Sequence, residues 1–545
     1  MPSKHPKSQF FARRPNEGLI CCGSWSGGCG ECLPSRLSGG HDEPLTKAMS
    51  HTACRKYSRR TRMTDTSDVT LSRIASAAIG VGLLVASVFF VWQGVPQQFA
   101  ASLPGETPSQ TPLTVQAAPP DQKIVCPGPV LTYVAQETTP RGFSEPTPSV
   151  LGSSYTTTEL DSEEFLQEFA GEDAKTAPPP VYLQQSAADG FLNATSVSEV
   201  NSVFAWGLSA QSCQAPVSEG WLVGGSTTTG RQGVLSLANP GAVPATVDLE
   251  LYGESGEISA PGAKGILMQP GERRVFSLAG LAPGEQSPVI RMVSAGTPVT
   301  MVLHTSLIRG LDPDGMDLVG VQGVPTTERY LPGLYLESEA ALERVSALEG
   351  YDDVGPVLRL LAPEEDAEVV VTIVRPGLGD LVNDVSLDAG RVFDVALDEL
   401  GEGHAGVMIQ SSTPVVAGIR HTSIGDPRTD LSWVSSAPTI TDVGSLVIPS
   451  GADATLHVLS HSDQTATVRF ARVSDDGQDV LGSGSLEVDD FAVEVRGLGG
   501  GGGNYLFETD QPVSVAVVLR EAGQLANLIA VPPPPELPTV EIYAR

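Results

Sequence analysis

A chain of 545 residues is too long for a single hydrophobic core, so several domains are expected. Its 58 Gly, 43 Pro and only 18% charged residues favour short strands joined by many turns. The net charge of −31 argues against a nucleic-acid partner, whose phosphates it would repel.

Residues 1–62 read as a disordered cytoplasmic tail or an extension upstream of the natural start, with Met49 and Met63 both candidate starts. This segment holds Cys29-x-x-Cys32, the spacing at which two thiolates share a zinc ion. A structural site needs a second pair, and Cys54 has no partner two to four residues away, so no metal is assigned.

Residues 63–95 contain the run Ile74 to Trp92, 19 residues without a charge. A helix rising about 1.5 Å per residue would cross a bilayer core over that length. Before Ile74 the chain carries 12 Lys+Arg against 6 Asp+Glu, leaving 21 against 58 beyond it. The basic flank (Arg55, Lys56, Arg59, Arg60, Arg62, Arg73) predicts a single-pass protein, N-terminus cytoplasmic and the acidic body extracellular. The length favours an anchor, while Phe99-Ala100-Ala101 offers the alternative of secretion after signal cleavage.

Residues 96–123, rich in Pro, Ser, Thr and Gln, read as an extracellular stalk. Residues 124–216 form a Cys-linked, β-rich segment. Cys126 and Cys213 stand alone beyond the apolar run, and an oxidising compartment makes them a disulfide. Closing that long loop is worth about 4 kcal/mol in the chain-entropy account. Within it, Asp161 to Pro180 is acidic and then Pro-rich, and reads as a surface loop.

Beyond Trp221 the chain repeats itself. Val234-Leu-Ser-Leu, Val357-Leu-Arg-Leu and Thr455-Leu-His-Val are each followed by an Ala-x-Val strand starting at Ala245, Ala367 and Ala466. Each copy closes on a Pro-Val strand, at Pro298, Pro414 and Pro512. The run from Val247 to Tyr252 alternates with period two, the pattern of a half-buried strand. The predicted fold is all-β, three tandem Ig-like antiparallel β-sandwich repeats after one transmembrane helix, at 217–311, 312–424 and 425–531, with a Pro-rich tail at 532–545. Val299, Val415 and Val513 are expected at equivalent places in separate cores. Ser338 to Leu348 is the one helical-looking stretch, an insertion in the second copy.

His304-Thr-Ser306 and His421-Thr-Ser423 are read as ending the first two copies at matching points, with Arg520-Glu521 in the third. His beside Ser raises a hydrolase reading, but strand neighbours point to opposite faces and no third group is signalled, so a structural role is expected. Gly224 to Arg231 lacks the Gly-Lys-Ser/Thr ending of a phosphate loop and reads as a polar turn. Asp312, Asp314 and Asp317 have the oxygen density calcium prefers without the EF-hand spacing. Asp317 and Asp430 are read as recurring in register, each capping or orienting a linker.

The apolar anchor, Cys126-Pro-Gly-Pro, Ser212-Cys213-Gln-Ala-Pro, Trp221-Leu-Val-Gly-Gly-Ser-Thr and Thr413-Pro-Val-Val-Ala-Gly together resemble an uncharacterised group of actinobacterial envelope proteins, a domain of unknown function. The resemblance implies an exported placement and carries no site residues. The expected function is that of a non-enzymatic, membrane-anchored cell-envelope protein whose extracellular β-sandwich array mediates interactions. A glycan-binding module, with Trp206, Trp221 and Trp433 as platforms, is the alternative, and a surface hydrolase the third reading. No catalytic residue or cofactor is assigned, and the partners expected are other envelope proteins or cell-wall glycans.

Overall fold

The computed structural model describes residues 121–534 apart from 135–136, 145–147, 161–165, 169–174, 177–180, 187–189, 399 and 427, together with residues 11–12, 113–115 and 540–542. The apolar run Ile74–Trp92, the Cys29-x-x-Cys32 pair, most of the stalk and more than half of the tail lie outside the described residues. Among those described, no helix is long and apolar enough to cross a membrane.

The body is a succession of sheets, antiparallel but for the short pair Arg141–Phe143 with Leu166–Glu168. Leu166–Glu168 and the strand Lys175–Thr176 fall where a surface loop was expected. Alternation decides which face of each strand is buried. In Ala245–Gly253, Val247, Leu249 and Leu251 are buried, while Asp248 and Glu250 stay half-buried on the other face. Covering each such aliphatic side chain stabilises the fold by about 1.5–3 kcal/mol.

Between Glu219 and Gly320 there are two sheets. In one, Glu219–Val223 pairs Val289–Ala295, which pairs Ala245–Gly253, which pairs Ile266–Met268. In the other, the order is Arg273–Ser277, Arg231–Ala238, Thr300–Arg309, Asp312–Gly320. Counting along the chain without the short strand Gly256–Ile258, which extends the hairpin after Ala245–Gly253, one sheet holds strands first–sixth–third–fourth and the other fifth–second–seventh–eighth.

The same order recurs twice. From Thr326 to Ser435, the sixth and seventh strands are two halves of one long strand, Gly403–Ile424, that passes from one sheet to the other. From Val443 to Ile529, the sheets run Val443–Ile448, Gly503–Thr509, Ala466–Val473, Val480–Val488 and Val493–Gly499, Asp453–Ser460, Val513–Glu521, Gln524–Ile529. Three apolar clusters fill the spaces between paired sheets, with Val299 in the first, Val415 in the second and Val513 in the third, each fully buried.

The eighth strands Asp312–Gly320 and Thr429–Ser435 hydrogen-bond back to the seventh strands, so the sheets run across the expected boundaries at 311/312 and 424/425. Pro414 lies where Gly403–Ile424 changes sheets, Pro298 stands two residues before Thr300–Arg309, and Pro512 immediately precedes Val513–Glu521. None of the three removes a donor from a central ladder. The inserted helix is Glu339–Ser346, with Ser338 Oγ accepting the Ala341 N–H at 3.3 Å.

Upstream, Gln122–Cys126, Val181–Gln185 and Thr156–Glu159 form one small sheet, and Trp206–Ser212, Asn193–Asn201 and Ser149–Leu151 another. The Cys126–Cys213 disulfide joins the beginning of this segment to its end, with both cysteines buried.

Candidate functional site

His304 and His421 are not equivalent. His304 stands opposite Val234, whereas Arg420 stands opposite Val357, the residue matching Val234 in the next copy. The two His-Thr-Ser runs are therefore one residue out of step, and in a strand one residue reverses the face. His304 Nδ1 accepts the N–H of Leu131, at 3.2 Å, from the Cys-linked segment. His421 Nδ1 accepts the N–H of Tyr335 of its own unit, at 3.0 Å, and its Nε2 meets Asn527 Nδ2 at 2.6 Å. Neither ring is exposed at all. Burial, with the Arg273 charge, holds His304 well below its ordinary pKa, and burial brings His421 down to about 4. Both are neutral rings engaged with main chain.

The aspartates are out of step too. Asp317 pairs with Thr305, whose counterpart His421 pairs with Ser432, so Asp317 matches Ser432 and Asp430 matches Gly315. Asp317 Oδ2 accepts the Trp433 N–H at 2.6 Å and the Ser432 hydroxyl at 3.2 Å. Burial raises its pKa to about 8 against those bonds. Asp314 accepts from Thr429 N at 2.6 Å, Thr429 Oγ1 at 2.7 Å and Arg309 Nε at 2.6 Å. Asp312 is exposed. The three aspartates therefore do not converge on a shared point, and no acidic, His or Cys cluster suited to a metal occurs among the described residues.

Of these aspartates, Asp430 holds the most connected position. Its Oδ2 accepts the N–H groups of Leu208 (2.8 Å) and Leu525 (3.0 Å), and its Oδ1 those of Met316 (3.1 Å) and Leu431 (2.9 Å). The carboxylate is fully buried, and burial pushes its pKa well above the ordinary range, against four donors that favour the anion. Space for it exists because two neighbours are glycines. A Cβ at Gly207 would lie 2.7 Å from Asp430 Oδ1, and one at Gly315 3.2 Å, both with positive φ. Aligning eighth strands through these glycines, rather than Asp with Asp, would have exposed this position in the sequence.

Trp221 and Trp433 are buried, Trp221 stacked on Tyr252 and Trp433 beneath the Arg359 guanidinium at 4.8 Å. Trp206 is half-buried beside Arg428. Gly224–Arg231 is a polar turn in which Thr227 Oγ1 donates to Ala282 O at 2.5 Å and Gly225 O accepts from Arg359.

Sequence reasoning did not find the open groove of about 460 Å³ lined by His404, Asp453, Thr455, Arg520 and Glu521. A recess of about 200 Å³ walled by Leu336, Leu400 and Val495 shares His404 with it. Arg520 lies 3.8 Å over the Tyr335 ring, and His404 packs edge-on to His457 at 4.9 Å. Neither His304 nor His421 lines these spaces.

Residues 170–490 match the model of a family described as a family of unknown function, DUF5719. No curated protein matches the chain.

Proposed function

The chain belongs to this family of unknown function, and we propose that it is a non-enzymatic, exported cell-envelope protein, anchored by the Ile74–Trp92 helix, whose three tandem Ig-like β-sandwiches form an interaction scaffold. One observation carries the reading. The side chains with the strongest chemical promise, His304, His421, Asp317 and Asp430, are buried and bonded to main-chain N–H groups within the body. Groups used in that way hold a scaffold together and face no substrate. The buried Cys126–Cys213 pair supports an oxidising, extracytoplasmic location. Burial of Trp221 and Trp433 favours a protein scaffold over a glycan platform, which needs exposed rings.

The test treats intact cells producing the full chain with protease. The acidic body is expected to be lost while a cytoplasmic marker survives, and non-reducing peptide maps are expected to recover Cys126 linked to Cys213. A body protected until lysis, or both cysteines alkylated as free thiols, would overturn the reading.

A further inference from the structure

We infer that the Cys-linked segment is a fourth, divergent copy of the unit, and that the four copies close into a ring around the Asp430 carboxylate. The inference holds whether or not the chain is exported.

Strand order is the first ground. The segment's sheets run Gln122–Cys126, Val181–Gln185, Thr156–Glu159 and Trp206–Ser212, Asn193–Asn201, Ser149–Leu151. Setting aside the separate sheet of Val130–Thr132, Arg141–Phe143, Leu166–Glu168 and Lys175–Thr176, the described strands are first–sixth–third and eighth–seventh–second, the order of the other three copies. The disulfide spans the ends of this reduced unit.

The second ground is the set of donors on Asp430. Met316 pairs with Ser306, Leu431 with Thr422 and Leu525 with Arg520, which are matching positions of three seventh strands. Leu208, paired with Glu199 between the corresponding strands of the Cys-linked segment, takes the same place. One carboxylate thus receives the equivalent N–H of each copy. The preceding positions are Gly207, Gly315, Asp430 and Gln524, so one copy supplies the carboxylate and two supply room for it.

Closure is the third ground. In a linear array the Cys-linked copy would meet only the next one along the chain, residues 219–320. Here it meets that copy, through Leu131 on His304 and the reciprocal bonds of Gln214 with Val321, both 3.0 Å. It also meets the last, through Asn193 Nδ2 on Ser445 O (3.0 Å), Thr195 Oγ1 on Val447 O (2.7 Å) and Ser212 Oγ on Ile529 O (3.3 Å). A ring closed in this way opens as a whole, and Asp430 is its latch.

The experiment is amide hydrogen exchange on the full chain carrying Asp430→Ala. A buried N–H left without its acceptor loses enough stability that protection is expected to fall at least about tenfold. The loss is expected at Leu208, Met316, Leu431 and Leu525 together. Loss confined to Met316 and Leu431, with Leu208 and Leu525 still protected, would overturn the ring. Should that variant fail to fold, Asn193→Ala with Thr195→Val loosens only the closing seam. Faster exchange at both Leu208 and Leu525 is then expected, and unchanged exchange at both would overturn the proposal.

Discussion

The seam between residues 219–320 and 326–435 is built from buried ion pairs, whereas the seam between 326–435 and 443–529 centres on stacked neutral rings, with the Arg520 guanidinium over Tyr335 beside them. At the first, Arg359, only 2% exposed, donates twice to Asp394 at 2.9 Å and once to Gly225 O at 2.8 Å. Asp353 receives Arg231, Arg309 and Arg420. Burial alone would raise both carboxyls, but Arg359 outweighs it for Asp394, and the three arginines for Asp353, so both sit below their ordinary values. At the second seam, Tyr330 stacks on His461 with ring centres 3.4 Å apart, and His457 meets His404. Val374, Met408, Leu459 and Val493 fill the space beside them. Burial holds His457 and His461 at about 3. One docking arrangement thus tolerates two chemistries, and the two respond differently to acid.

The largest effect is expected from acid. His457 and His461 stay neutral in the fold while the unfolded chain protonates below about 6.5, so their contribution is full above that pH and lost as pH falls toward 3. At pH 5 this amounts to about 2 kcal/mol per ring, about 4 together. Asp317 and Asp430, raised by burial, act in the opposite sense, so the effect is read by difference. Urea unfolding of the native chain should lose about 4 kcal/mol between pH 7.5 and 5 relative to a His457→Phe, His461→Phe variant. Equal pH dependence of the two would remove the neutral-ring account. The lowered Asp394 and Asp353 contribute fully above the ordinary carboxyl range and lose that contribution only as pH falls through their depressed values. The charged seam should therefore keep its exchange protection at pH 5.

Next in size is Arg359→Met, which strands the Asp394 carboxylate. Breaking a buried pair from one side costs about 3–5 kcal/mol, and the 17% exposure of Asp394 places the loss near about 3. Adding Asp394→Leu should restore part of it, measured by urea unfolding at pH 7.5. If the double variant is no more stable than the single one, the pair is not what holds that seam.

The smallest effect is expected at the ring stack. Tyr330→Leu keeps an apolar side chain but loses the aromatic contact with His461, worth about 1 kcal/mol. The change should appear as faster exchange near Val493 and leave the amides around Arg359 untouched. Faster exchange at both seams would mean that the two are not separable.

Much of the fold was legible in the residues. Alternation at Val247, Leu249 and Leu251, the three Ala-x-Val strands, the Pro-Val closures and the helix Glu339–Ser346 lie where local pattern places them. The isolated cysteines likewise meet. The site was far less legible. Similar His-Thr-Ser runs suggested equivalence at His304 and His421, yet a single residue of offset turned them to different faces. The aspartates were misaligned by two, which hid the correspondence of Asp430 with Gly315. Periodicity determined which aliphatic side chains, such as Val247, Leu249 and Leu251, face a core, because a strand alternates its faces whatever lies beyond them. Only the tertiary structure decided what each outer face meets. The partners of Asp430 are main-chain N–H groups as far as 222 residues away, and since every residue except proline carries one, no side chain marks them in advance.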